Sequence, residues 1–228
     1  MIIGITFSNI EYEEGDKRTK ISNTIPEDLI DVWKEKLSDL QPADVEFNVQ
    51  GEKFHAYSSV LSKRSEYFAK ILSGQWAEKT TNPLEENSPD QIKYRIEIQE
   101  FEPKVFLSML EYLYTNKVEW TNEDGESITI KLFCLADKYL LSDLRKRAKT
   151  RIYDELEISN ASEILFGLVP SYEDLKEPVL KFMAKNFEEV YKSQEFKDIL
   201  ENLANYPSYN VIFSELFEEH FKQKKTES

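Results

Sequence analysis

The side chains able to do chemistry are few and far apart. The chain has two histidines, His55 and His220, and they stand near opposite ends of the sequence. It has a single cysteine, Cys134. A protein metal site needs three or four donors at fixed spacing, and neither histidine has such company in sequence. No His-Glu-x-x-His, Cys-x-x-Cys, Gly-x-Ser-x-Gly or phosphate-cradling glycine loop occurs among the 6 glycines. Cys134 lies in the helical run LFCLADKYL, where it reads as a small packed residue, with a reactive thiol as the alternative. Acidic residues number 43, but runs such as EDGE and LEENSPD lack the oxygen-donor spacing of a calcium loop and read as solvated loops. The expectation is therefore no catalytic site, no metal and no cofactor.

One cluster opposes the acid excess. LRKRAKTR, residues 144 to 151, places Leu144, Ala148 and Ile152 on one helical side with cations between them. Helix periodicity alone accounts for it as a solvated face, while a nuclear-import signal or a phosphate-binding face are the other readings. The chain as a whole carries a formal charge of −14 over 228 residues, which disfavours nucleic acid and anionic lipid as general partners. A lone cysteine permits no disulfide framework, which fits a reducing compartment, cytoplasmic and/or nuclear. The start MIIGITFSNI has no basic region before its apolar stretch, so no secretory signal is expected. No run approaches the roughly 18 apolar residues of a membrane-spanning helix.

The elements that would position any site change character along the chain. Ile3, Ile5 and Phe7 alternate as one strand. Leu29, Ile30, Trp33 and Leu37 form an apolar stripe on a helix opened by Pro26. Val45, Phe47 and Val49 alternate as a strand, Gln50-Gly51 turns, and Glu52 to Ala56 returns as a hairpin. A helical stripe through Val60, Leu61, Tyr67, Phe68, Ile71 and Leu72 follows, with a joint at Arg64-Ser65 and a stop at Gly74. Residues 79 to 93 read as a polar loop, Tyr94 to Ile98 as a strand, and Pro103 opens a helix. Val118 and Trp120 suggest a short strand. Helices are expected at 128–140, 142–156, 161–168, 172–186, 193–204 and 211–221. Strands before residue 120 and helices after it give an α+β domain followed by an all-α one.

The order of these elements resembles the BTB/POZ domain. The residues that carry the resemblance are DVEFNV (44–49), GEKFHAYSSVLSKRSEYF (51–68), IEIQEFEPKVFLSMLEYLYTNKV (96–118) and LADKYLL (135–141). One position departs: the histidine usual after Phe-x-Ala is Tyr57 here, which should alter packing between hairpin and helix without cancelling the fold. Residues 156 to 196, with Asn160-Ala161, Leu165, Leu175 and Phe182, resemble the BACK helices that follow many BTB domains. The likeness is strongest to the speckle-type POZ family, although the segment before the domain is too short for that family's MATH domain. Kelch repeats and zinc fingers are absent from the sequence. The resemblance divides the chain into an N-terminal extension (1–25), a BTB/POZ domain (26–153), a BACK-like helical domain (154–222) and a tail (223–228).

The resemblance implies a non-enzymatic interaction protein. Such proteins homodimerise through the first helix and hairpin region, which assigns Leu29, Ile30, Trp33 and Leu37 to a dimer interface. Many are adaptors of cullin–RING ubiquitin ligases built on the third cullin, and bring it an unidentified substrate protein. The family's cullin-binding mark, a bulky apolar residue followed two positions on by glutamate, corresponds to Trp76 and Glu78, and Tyr139 matches a further contact. An oligomerisation scaffold or transcriptional regulator that ignores cullin is the alternative.

Overall fold

A computed structural model of the chain describes Val32, residues 43–74, residues 80–81 and residues 92–226. The expected N-terminal strand, the helix carrying Leu29, Ile30, Trp33 and Leu37, and the Trp76–Glu78 segment lie outside the described residues. Val32, on that expected helix, is helical and exposed.

Strand β1 (Val45–Val49) buries Val45, Phe47 and Val49 and leaves Glu46 and Asn48 on the other face, as period-two alternation requires. The turn to β2 (Glu52–Ala56) uses positive φ at both Gln50 and Gly51, the backbone of a tight hairpin whose twist matches its strands. Asn48 Oδ1 accepts from the Gly51 N–H at 3.1 Å and fixes the turn. Register pairs Val45 with Ala56 and Phe47 with Phe54.

β4 (Tyr94–Ile98) runs parallel to β1, pairing Val45 with Tyr94 and Val49 with Ile98, and β3 (Thr80–Thr81) closes the order β2-β1-β4-β3. β3 falls in the stretch expected to be loop; its two residues are held by pairing with β4, a long-range contact that composition does not announce. The strand expected at Val118 and Trp120 is absent. An isolated bridge between Thr121 and Ser127 stands there instead. Asn122 explains it: its side-chain oxygen accepts from the N–H groups of Asp124 and Glu126 and closes a tight turn.

Helices α1 (Ser58–Arg64) and α2 (Glu66–Leu72) meet at Ser65, whose extended backbone ends one and caps the next. α3 (Pro103–Thr115) opens with proline in its first turn and ends at Asn116 in the left-handed region. α4 (Thr129–Lys138) and α5 (Ser142–Asp154) follow.

The C-terminal region is entirely helical: α6 (Ile158–Glu163) continues into a π segment (Ile164–Leu168), a 3-10 turn (Glu173–Leu175) leads to α7 (Lys176–Lys185), and α8 (Phe187–Lys192), α9 (Gln194–Glu201) and α10 (Tyr209–Thr226) complete it. α8 was not expected as a separate element; Asn186, whose side chain donates to the Phe182 carbonyl, ends α7 within an otherwise continuous helical pattern.

Two cores result. The first gathers Phe47, Phe68, Phe106, Met109 and Leu110 between the sheet and α1–α4. The second gathers Ile164, Leu165, Phe166, Val179, Met183 and Phe196. The α4–α5 pair feeds both: Leu132, Leu135 and Leu144 face the first, and Phe133, Ala148 and Ile152 the second.

Candidate partner-binding surface

The polar pins of the first region hold the hairpin against the helices. Asp44, just before β1, accepts from the Ser58 N–H at 2.7 Å and the Ser58 hydroxyl at 2.6 Å, which fastens the start of α1 to the sheet. The Tyr57 N–H donates to the Tyr114 hydroxyl at 2.8 Å, and the two rings lie 6.3 Å apart. Burial pushes the Tyr114 phenol up to about 12. The Tyr57 departure therefore leaves the hairpin-to-helix lock intact, with an aromatic pair at that position.

Ser65 is the hub of the next layer. Its Oγ accepts from the Phe68 N–H at 3.2 Å, capping α2, and donates to the Tyr139 carbonyl at 2.8 Å. The Tyr139 ring lies flat on Phe68 at 5.1 Å, and the Tyr67 ring meets it edge-on at 5.0 Å. Phe101 and Phe106 complete the cage. Tyr139 is 3% exposed, and burial drives its phenol well above the ordinary value. As placed here the ring is a piece of the first core, and the neighbouring residues carry the surface. Lys138 lies 2.7 Å from Glu100 and over the Phe101 ring at 5.5 Å. Leu140, a residue that sequence reasoning passed over, is 47% exposed. Of the three residues that the resemblance assigns to cullin contact, Tyr139 alone lies among the described residues.

The remaining chemistry-bearing residues are occupied by structure. Burial raises the Cys134 thiol, away from the thiolate a nucleophile requires, and its hydrogen-bond partner is Tyr172. This supports the packing reading. His220 is buried, with Nδ1 2.7 Å from the Ala184 carbonyl and its ring stacked on Phe187 at 4.6 Å. His55 faces Glu46 at 3.5 Å on the sheet's outer side. No group of three or more His, Cys, Asp or Glu able to hold a metal occurs among the described residues. No helix of the described residues is long and apolar enough to cross a membrane.

The basic run of α5 divides between two sides. Arg145 and Lys149 reach across to Asp174 at 2.9 Å each, while Arg147 pairs with Asp143 and Arg151 with Glu155. Arg145 also meets Asp137 and lies over the Phe133 ring at 4.7 Å. Four of these cations thus work as struts within the fold, which favours a helix face over a free phosphate-binding patch.

Comparison with known proteins decides the family. The BTB/POZ domain family model matches residues 34–156, more than half of the chain. This chain belongs to the BTB/POZ domain family. BTB domains commonly mediate protein–protein interaction and commonly homodimerise, and the family includes cullin adaptors. The chain is 31% identical over 188 residues to BTB/POZ and MATH domain-containing protein 6 of Arabidopsis thaliana, covering 75% of this chain and 42% of that protein. It is 25% identical over 201 residues to TD and POZ domain-containing protein 5 of Mus musculus, covering 88% of this chain and 53% of that protein. The chain thus spans about half the length of the curated relatives it matches. Among solved structures, the BTB domain of zebrafish PATZ1 aligns at 22% identity with a TM-score of 0.43, over 56% of this chain and 91% of that one.

Proposed function

We propose that this BTB/POZ chain is a non-enzymatic, dimeric adaptor that presents a bound protein to a cullin–RING ubiquitin ligase of the third-cullin class, in the cytoplasm, the nucleus or both. The observation that carries the reading is the α2–Tyr139 contact. Tyr139 packs on Phe68 of α2, and the chain leaving α2 at Leu72 runs on to Trp76-Ala77-Glu78. Tyr139, one part of the family's cullin-binding pattern, therefore packs on the helix whose sequence leads into the other part. The named relatives are BTB/POZ proteins, and the family is generally one of adaptors and scaffolds, which supports a binding role over catalysis. Dimerisation would run through the leading helix with Leu29, Ile30, Trp33 and Leu37, since a stripe of that size favours association.

Calorimetric titration with the N-terminal domain of the third cullin tests the reading, with analytical ultracentrifugation for the dimer. Expected are saturable binding by wild type, a loss of about tenfold or more in Trp76→Ala/Glu78→Ala, and a dimer that dissociates in Trp33→Asp. Wild-type protein that dimerises but leaves the cullin unbound would favour the scaffold reading instead.

A further inference from the structure

A groove of about 480 Å³ lies along α5. Val118 and Trp120 line it from the segment after α3, and Lys146, Arg147, Thr150 and Arg151 line it from α5. Asp143 and Asp154 complete the lining, so three cations face two acids on a chain of net charge −14. The struts leave cationic capacity over. The Lys146 side chain has no ion pair or hydrogen bond among the described residues. Arg147 pairs with Asp143, donates to the Asn116 carbonyl and stays 41% exposed. Arg151 meets Glu155 through Nε and lies over the Trp120 ring at 5.3 Å, so its two amino groups have no hydrogen-bond partner among the described residues. Asp143 is already occupied, by Arg147 and by the Tyr112 hydroxyl at 3.1 Å. The segment facing α5 is unsatisfied as well. Residues 117–120 alternate as a strand does but belong to none. Arg147 holds the Asn116 carbonyl, and the Ile128 N–H donates to the Trp120 carbonyl at 2.8 Å. Between these two pins the backbones of Val118 and Glu119 make no hydrogen bond among the described residues.

We propose that this groove docks an acidic, extended segment of a partner protein, paired through its main chain with Val118 and Glu119 and through its carboxylates with Lys146, Arg147 and Arg151. Open backbone groups beside a groove are what an added strand pairs with, and a peptide brings the N–H and carbonyl groups that they require. Nucleic acid brings no such groups, and the acidic chain repels its phosphates. The same net charge sets two copies of the chain against each other, which favours a different protein over a second copy. Val118 and Trp120 give the segment an apolar floor, and the stacked, strut-held Arg151 loses little freedom when a carboxylate arrives. Neither Tyr139 nor the Trp76–Glu78 segment takes part, so the site works with or without cullin.

Fluorescence anisotropy with the full chain tests it, using a labelled peptide of alternating glutamate and valine as the probe. Wild type should bind it saturably, and Lys146→Glu and Arg151→Gln should each weaken binding by about tenfold or more. Lys197→Glu makes the same charge change at an exposed site on α9 and should stay within about twofold of wild type. The same peptide with alternate backbone amides methylated keeps every charge, yet should bind wild type about tenfold or more weakly. This last comparison needs no variant and so does not depend on how the substitutions fold. Wild type that ignores the probe overturns the proposal. So does a loss as large in Lys197→Glu, which would mean general charge attraction, and so does equal binding of the methylated peptide, which would mean that no strand is added. Sedimentation of the free chain that changes in Lys146→Glu, with no probe bound by wild type, gives the groove to a second copy and overturns it too.

Discussion

The two cores are built on different terms. The first is an aromatic and aliphatic centre pinned by hydrogen bonds between residues far apart in sequence: Ser65 to Tyr139, Tyr57 to Tyr114, Asp44 to Ser58. Its strands pair residues far apart in sequence, β1 with β4 above all. The second is made of sequential helices, and its border with the first carries charge. Arg145, Lys149 and Tyr153 of α5 all engage Asp174, the first two at its carboxylate and the third at its carbonyl. Each arrangement suits its task. A sheet whose strands pair across long stretches of sequence needs a fixed frame, whereas a helical region laid against it needs a latch. Because α4 and α5 belong to both cores, the latch closes onto a wall the two regions already share.

The largest expected effect strikes that shared wall from the sheet side. Phe106 is fully buried, 5.0 Å from Phe47 and 6.1 Å from Tyr139. Phe106→Ala should cost about 3–5 kcal/mol in urea unfolding, since the aromatic cage leaves little freedom to collapse around the cavity. The second core takes Phe133, Ala148 and Ile152 from α4 and α5, so both regions should unfold in one step. A C-terminal region that keeps its own transition in this variant would break the claim of a shared wall.

A smaller effect separates the regions. Arg145 is held above its already high ordinary value first by Asp174 and then by Asp137, and its guanidinium covers the Phe133 ring. Arg145→Ala should cost on the order of 1.5–3 kcal/mol, the usual range for a hydrogen bond to a charged partner. The loss should be local: amide exchange at residues 172–176 should speed up, while β1 and β2 keep wild-type protection. Equal acceleration in the hairpin would mean that the latch is not confined to the border.

Those differences also explain what could be read from the sequence. Period-two alternation at Val45, Phe47 and Val49, the turn at Gln50-Gly51 and the serine at the α1–α2 joint are local signals, and the structure keeps all of them. β3 depends on pairing alone and was invisible. The alternation at Val118 and Trp120 misled, because Asn122 turns the chain before a partner strand can form. The π segment reads as ordinary helix, since one extra residue in a turn leaves the apolar pattern nearly unchanged. The family resemblance assigned Tyr139 to partner contact but could not show that its ring would be enclosed. The positive φ of Leu140 was missed for a physical reason: glycine is the usual sign of a left-handed residue, and here the sign is missing.

The smallest effect is a pH dependence that belongs to the latch. Hydrogen bonds from Arg145 hold the Asp174 carboxyl well below the usual carboxylate range, with Lys149 adding to it. A depressed folded value means that the native state favours the ionised form. The stabilisation is therefore fully present above the unfolded value of about 3.9 and is lost as pH falls through the lower folded value. The Asp174 side chain is 41% exposed, so solvent screening should keep this contribution below about 1 kcal/mol. Ser65 and Tyr114, pins of the first region, do not titrate in acid, so they add nothing to this limb. Urea unfolding of wild type and Asp174→Asn should show a stability gap that is constant from pH 7 to about 5 and narrows below about pH 4. A gap unchanged down to pH 2 would show that the border is held by packing of Phe133 and Tyr172, with the charges as bystanders.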